Sequence, residues 1–395
     1  MLLAQLAFNT GGGSSPSEVL TAAANITAGD FESWYRSFDY LGTKIYNISQ
    51  HINAKKYPVS AREALFRSAT YFRTAGFYLV GNISDPRLYS LWDQQTTAFN
   101  AAIALLPVPG YRITLPGPGF EIPVIFYPAS KDSKKPTILA GTGYDGSQEE
   151  IIHEIGHEVL SRGYNFVTYE GPGQPTVSRD QQLGFIPQWE KVVTPVIDYL
   201  SSHPQVDANA IALVGISFGG SLAPIAAAHE HRLAAVIAID GMWSFFKIMG
   251  EESPSLLEFY NASNASTFDA YMFQVMADPK TPTSTRWGFQ QGLWAFKTTS
   301  PYDYMTQVQQ YTLTNELLGN ITAPVFVGMG MDDITSVDAP LLEQALGEKG
   351  TLFRFGSDVG AGEHCQIGAE DYLAQVTMDW FQDVLDARKG SNAGN

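Results

Sequence analysis

The chain is 395 residues long, enough for one sizeable core domain with additions. Hydrophobic residues make up 45% and charged residues 16%, and 24 basic against 40 acidic side chains leave a net charge of −16. A surface that acidic repels nucleic acid and anionic membranes, and neither is expected as a partner. The single cysteine, Cys365, excludes an internal disulfide and a cysteine-based metal site. No apolar run approaches the roughly 20 residues of a membrane span. Met1 to Phe8 is too short, and lacks the basic start, for a signal peptide. Asn-x-Ser/Thr sequons nevertheless stand at Asn25, Asn47, Asn82, Asn261, Asn264 and Asn320, so localisation stays open between the cytosol and the secretory route.

Residues 1–16, ending in a Gly11-Gly12-Gly13 run and Ser14-Ser15-Pro16, read as a flexible lead-in. From Ser17 to about Leu106 the apolar spacing is helical, with a helix start at Asp30-Phe31-Glu32 and a helix over Ala61 to Gly76. Residues 1–107 thus read as a helical N-terminal extension. Past Pro107-Val108-Pro109-Gly110, Tyr111–Leu115 and Glu121–Pro128 flank a Pro-Gly-Pro-Gly turn and predict a hairpin. Short apolar runs then alternate with helical stretches: Thr137–Ala140, Phe166–Tyr169, Ile211–Val214, Ala235–Ile239, Val325–Val327 and Leu352–Phe355. This pattern predicts an α/β fold whose mostly parallel sheet carries helices on both faces, built from residues 108–240 and 322–390. The aromatic-rich stretch 241–321 is too long for a bare loop and predicts a helical cap.

The strand ending at Val214 runs into Gly215-Ile216-Ser217-Phe218-Gly219-Gly220 and then an alanine-rich helix. Gly-x-Ser-x-Gly between strand and helix is a nucleophile elbow: the strained turn projects the serine, the glycines give it room, and the helix amides face a developing oxyanion. Such sites run serine, acid, histidine in chain order. Of seven histidines, only His364 lies at the expected distance beyond Ser217; His229 and His231 end the nucleophile helix and read as surface residues. The acid belongs just after Val325–Met331. Asp333 fits best because a short turn separates strand and acid, with Asp332 and then Asp338 as alternatives, and Glu363 reads as a solvated loop charge. An oxyanion hole needs two amides, expected from Phe218 and from the Gly141–Gly146 loop at Tyr144, with Gly143 as its neighbour. Trp243 and Phe246, just beyond the strand that ends at Asp240, are expected to line a substrate pocket.

A rival motif is present. His153-Glu154-Ile155-Gly156-His157 matches the His-Glu-x-x-His of zinc proteases, with Glu170 as a conceivable third ligand. Gly156 weakens a helix there, and the position calls for a surface helix between two strands, so the histidines are read as structural and no metal is expected.

Gly141-Thr-Gly-Tyr-Asp-Gly, Tyr169-Glu-Gly-Pro-Gly-Gln-Pro175, Gly215-Ile-Ser-Phe-Gly-Gly220 and Gly362-Glu-His-Cys-Gln366, in that order, resemble a branch of the α/β-hydrolases. That branch includes 2,6-dihydroxypseudooxynicotine hydrolase, fungal hydrolases that shorten pigment polyketides, and hydrolases of polyketide–peptide clusters such as the fusarin pathway. The chain looks most like the last group, over nearly its whole length. The resemblance implies a cofactor-independent enzyme acting on an ester, acyl or carbon–carbon bond beside a carbonyl of a bulky small molecule. It also implies ring-forming chemistry as an alternative, with the same pocket used without hydrolysis. Gly328-Met-Gly-Met331, before the aspartates, departs from the relatives' usual acidic or alanine residues. A binding protein on an inactive scaffold would lack Ser217, His364 or the acid, and all are present. Homodimerisation stays open.

Overall fold

The structure, a computed structural model, describes residues 1–393. Five helices precede the first strand: α1 (Leu2–Ala7), α2 (Pro16–Ala23), α3 (Phe31–Gln50), α4 (Pro58–Gly76) and α5 (Pro86–Ile103). Proline opens α2, α4 and α5, where its missing N–H would have no helical partner anyway. Asp30 and Asp85 cap α3 and α5 by accepting the amides of Glu32 and Arg87.

The sheet comprises β1 (Tyr111–Pro116), β2 (Glu121–Tyr127), β3 (Lys135–Gly141), β4 (Asn165–Tyr169), β5 (Val206–Gly215), β6 (Ala235–Ala238), β7 (Val325–Gly330) and β8 (Gly350–Phe355). Their spatial order is β1-β2-β4-β3-β5-β6-β7-β8. The β1–β2 hairpin joins β4 antiparallel, and every later pairing is parallel. This is the expected fold class.

Strand alternation divides the interior into two cores. Leu139, Ile211 and Leu213 face one, while Ile138, Ala140, Ala212 and Val214 face the other. The first core is covered by α8 (Glu190–Ser202), α9 (Gly219–Ala227) and α16 (Ala339–Leu346); the second by α6 (His157–Ser161) and the C-terminal α17 (Glu370–Ala393). Both cores take residues from α4 and α5, so the N-terminal helices are bound into the molecule. The remaining helices are α7 (Pro175–Asp180) and, between β6 and β7, α10 (Phe245–Glu252), α11 (Pro254–Ala262), α12 (Ala265–Ala277), α13 (Thr283–Ala295), α14 (Pro301–Val308) and α15 (Asn315–Gly319). No described helix is long and apolar enough to cross a membrane.

Two sequence expectations fail here. The glycine run is not a flexible lead-in: α1 is helical, and a Cβ on Gly11 would stand 2.3 Å from the His153 carbonyl oxygen, one on Gly13 2.5 Å from its ring. These glycines are there for close approach. Nor is the segment around His153 a surface helix. Residues Ile152–Gly156 form a buried π-helical turn ahead of α6, and His153 is 2% exposed. Gly156 makes room for the Phe166 ring, which an added Cβ would meet at 2.5 Å.

Candidate active site

The chain leaves β5 at Gly215 and turns sharply into α9, with Ser217 in the left-handed region at φ 62°. A side chain on Gly215 would put its Cβ 1.9 Å from the Gly219 carbonyl oxygen, so the elbow tolerates nothing larger than glycine there. The strained turn lifts Ser217 off the C-terminal edge of the sheet. Its Oγ lies 3.0 Å from His364 Nε2.

His364 sits on the loop after β8, and its Nδ1 lies 3.0 Å from Asp333 Oδ2. Asp333 follows β7, is 7% exposed, and also accepts the Thr335 amide at 2.9 Å and the Thr335 hydroxyl at 2.5 Å. Thr335 Oγ1 is itself 2.9 Å from His364 Nδ1. The alternatives lie apart from the imidazole: Asp332 is exposed, and Asp338 binds Lys247 Nζ at 2.6 Å. Glu363 is exposed, as are His229 and His231.

A second carboxylate lies in the same place. Asp240, at the end of β6 and fully buried, has Oδ2 3.1 Å from His364 Nδ1. Sequence reading marked it only as the end of a strand. Burial pushes the His364 imidazole toward the neutral form, but the charge of Asp240 and the hydrogen bond and charge of Asp333, helped by Asp145, prevail and hold its pKa at about 9. For Asp333, burial is outweighed by the His364 and Thr335 bonds, and the carboxyl titrates below its usual range. For Asp240, burial prevails over the pull of His364 and the carboxyl titrates above it.

Facing Ser217, the Thr142–Tyr144 backbone passes so close to the elbow that a Cβ on Gly143 would come 2.5 Å from the Phe218 amide nitrogen. Gln174 Nε2 donates to the Thr142 carbonyl at 2.9 Å and reaches the Gly143 carbonyl at 3.5 Å. In a trans peptide C=O and N–H point oppositely, so binding these carbonyls turns the following amides the other way. Neither the Phe218 nor the Tyr144 amide is spent on a hydrogen bond among the described residues. The Tyr144 side chain runs to the helices beyond β6, where its hydroxyl bonds the Gly288 carbonyl and Tyr304.

Of the aromatics after β6, Phe245 packs its ring on both Phe218 and Tyr144, with centroids at 5.2 and 5.1 Å. Phe246 packs on Tyr260, and Trp243 is half-buried. Adjacent residues on α10 thus face different neighbours.

The His153–His157 pair belongs to packing. His153 Nδ1 lies 2.9 Å from the Gly11 carbonyl, and Phe66 sets its ring edge-on to both imidazoles. Burial, with the neighbouring His157, lowers the His153 pKa to about 3; burial, with Arg62, lowers that of His157 to about 4. Glu170 instead accepts the amides of Gln148 and Thr176. Among the described residues, the three-ligand group within metal-binding reach is Asp240, His364 and Cys365, not one around this pair.

Comparison with known proteins agrees with this architecture. Residues 122–366 match the X-Pro dipeptidyl-peptidase (S15) family. The chain is 31% identical to alpha/beta hydrolase psoB of Aspergillus fumigatus, over 96% of this chain and 90% of that protein. It is 28% identical to 20-hydroxy-prefusarin hydrolase FUS2 of Gibberella moniliformis, over 95% and 94%. The crystal structure of 2,6-dihydroxy-pseudo-oxynicotine hydrolase superposes with a TM-score of 0.76 at 21% identity, covering 97% of this chain and 96% of that one. An elbow on a mostly parallel sheet, matched from β2 to the histidine loop, makes this chain a member of the S15 family of α/β-hydrolases, alongside fungal hydrolases.

Proposed function

We propose that the chain is a serine hydrolase that cleaves an ester, acyl or carbon–carbon bond beside the carbonyl of a bulky, largely apolar fungal metabolite of polyketide or polyketide–amino-acid type. The observation that carries this reading is the unbroken relay from Ser217 Oγ through both nitrogens of His364 to Asp333, at 3.0 Å in each step. In the neutral imidazole Nε2 accepts the Ser217 proton as Oγ attacks the carbonyl carbon. The oxyanion that forms takes the free amides of Phe218 and Tyr144, and Asp333 holds Nδ1–H and the imidazolium charge. His364 then returns the proton to the leaving group. A water, deprotonated by the same nitrogen, releases the product acid from Ser217.

The substrate class draws on the relatives' names and on the aromatic surroundings of the elbow, Phe245, Phe218 and Tyr311 among them. The rival reading, ring formation without hydrolysis, draws on the high basicity of His364, which suits removal of a proton beside a carbonyl. A serine-directed fluorophosphonate with mass mapping tests the proposal. The label is expected on Ser217 and absent from Ser217→Ala; labelling of another residue, or none, sinks the covalent mechanism.

A further inference from the structure

The chain carries a buried carboxylate that a single-acid relay does not need. β6 lies between β5, which leads to Ser217, and β7, which leads to Asp333. At its end Asp240 has φ 66° and Gly241 φ 26°, a left-handed pair that breaks off the strand beneath the histidine loop. From the other side, Cys365 and Gln366 both have φ 54°. That strained backbone turns the Cys365 amide onto Asp240, at 3.1 and 2.9 Å from its two oxygens, with the thiol donating at 2.9 Å.

A purely structural Asp240 would cap this loop, but a loop amide and a thiol need only a neutral acceptor. Burying a carboxylate completely costs several kcal/mol unless a positive charge answers it. Among the described residues, the ion-pair partner of Asp240 is His364, with Nδ1 at 3.1 Å against 3.0 Å for Asp333. The imidazolium formed when His364 takes a proton therefore meets two carboxylates from two different strands.

We propose that Asp240 is a second acid of the site, a positioning residue that holds His364 through Nδ1 beside Asp333 and takes over when Asp333 is lost. This rests on the serine–histidine reading above. The other titratable groups that act on His364 or respond to it are Asp145 from the glycine-rich loop, Glu154 from the π turn and Glu252 from α10, while Cys365 answers to Asp240, Glu154 and Asp333. Of these groups, Asp240 and Asp333 are the ones in ion-pair contact with the imidazole.

The test compares Asp333→Asn, Asp240→Asn and the double variant on an activated ester, with exposed Asp332→Asn as control. It adds an NMR titration of histidine-labelled protein in a Ser217→Ala background. Loss of the sole acid of a relay costs about 10⁴-fold. Here Asp333→Asn is expected to lose about 10- to 100-fold in kcat/KM, Asp240→Asn a similar amount, and the double variant about 10⁴-fold. The His364 midpoint is expected to fall by about one pH unit or more in Asp240→Asn, a shift that a loop cap alone would not cause. A full 10⁴-fold loss from Asp333→Asn, a double variant no worse than that single one, or an unmoved midpoint overturns the proposal. If Asp240→Asn does not fold, the size of the Asp333→Asn loss decides. If Ser217→Ala keeps full activity, the hydrolase reading fails and the histidine titration still judges Asp240.

Discussion

Two histidine motifs compete for attention in this chain, and they end in opposite chemical states. His153 is buried whereas the His364 side chain keeps 36% of its surface exposed, yet for both rings desolvation is the largest single influence and favours the neutral form. His153 is surrounded by Phe8, Phe66, Phe99 and a second imidazole, and its pKa falls to about 3. His364 is flanked by Asp240 and Asp333, and its pKa rises to about 9. Spacing within one segment made the first motif conspicuous. Convergence of strand ends gave the second one its two carboxylate partners.

The sharpest way to test this contrast is to remove each ring. Ser217→Ala and His364→Ala are each expected to lower kcat on an activated ester by about 10⁴-fold or more, with near-native circular dichroism and Tm. His153→Leu should leave kcat within a few-fold while lowering Tm. A catalytic collapse in a folded His153→Leu protein would undo the assignment of roles.

The packing role of the first motif has its own measure. Phe66 is 1% exposed and touches His153, His157 and Phe99, so Phe66→Ala should cost about 3–5 kcal/mol in denaturant unfolding. A loss under about 1 kcal/mol would mean that the N-terminal helices are not held at this joint.

Much of the fold was legible in the sequence because its signals are local. Each expected run lies within a strand to within a residue or so; the longest, β5, extends the run Ile211–Val214 to Val206–Gly215. The elbow, too, is written in six consecutive residues. Asp240 was not legible as a site residue: it precedes Cys365, its anchor, by 125 positions, and only the parallel order of β5, β6 and β7 brings it beneath the imidazole. Gly11 and Gly13 read as flexibility because nothing in their neighbourhood announces the His153 backbone that presses on them. Phe245 and Phe246 differ only by the phase of α10, which composition does not reveal. Gln174 lies inside a recognised motif, yet its grip on the Thr142 carbonyl needed the loop in three dimensions.

The pH profile sharpens the comparison next. In the proposed mechanism His364 acts as the neutral ring, so raising its pKa moves the acidic limb of kcat/KM upward. With a pKa of about 9, kcat/KM should climb about 50-fold from pH 7 to pH 9 and about 100-fold to its plateau above that, instead of levelling near 7. An initial-rate series in buffers of constant ionic strength checks this. A plateau already at pH 7 would show that the two carboxylates do not act on the ring as described.

A smaller effect is expected at the pocket. Trp243→Ala and Phe246→Ala should reduce kcat/KM for long or aromatic p-nitrophenyl esters by about 10-fold and for acetate hardly at all, whereas Phe245→Ala, which unseats Phe218 and Tyr144, should affect both. If the parent prefers acetate and Trp243→Ala and Phe246→Ala leave the chain-length series unchanged, the large apolar pocket fails as an idea.

The smallest expected effect is none at all, and it bears on the rival motif most directly. A zinc site of the His-Glu-x-x-His type needs both histidines free to ligate, a glutamate free to act as base, and a third ligand. Here His153 Nδ1 is engaged by the Gly11 carbonyl, and Glu154 lies in surroundings that raise its pKa to about 8, burial first and the carboxylates of Glu150 and Glu370 next. The ring nitrogens left over, His153 Nε2 and His157 Nε2, are buried without partners, so they are the atoms a metal would have to reach. Prolonged treatment with a strong chelator is expected to leave ester turnover within about 10% of the parent, and elemental analysis to find far less than one zinc per chain. Stoichiometric zinc that leaves together with activity, and a His157→Ala variant that loses both while still folding, would transfer the chemistry from the sheet edge to the π turn.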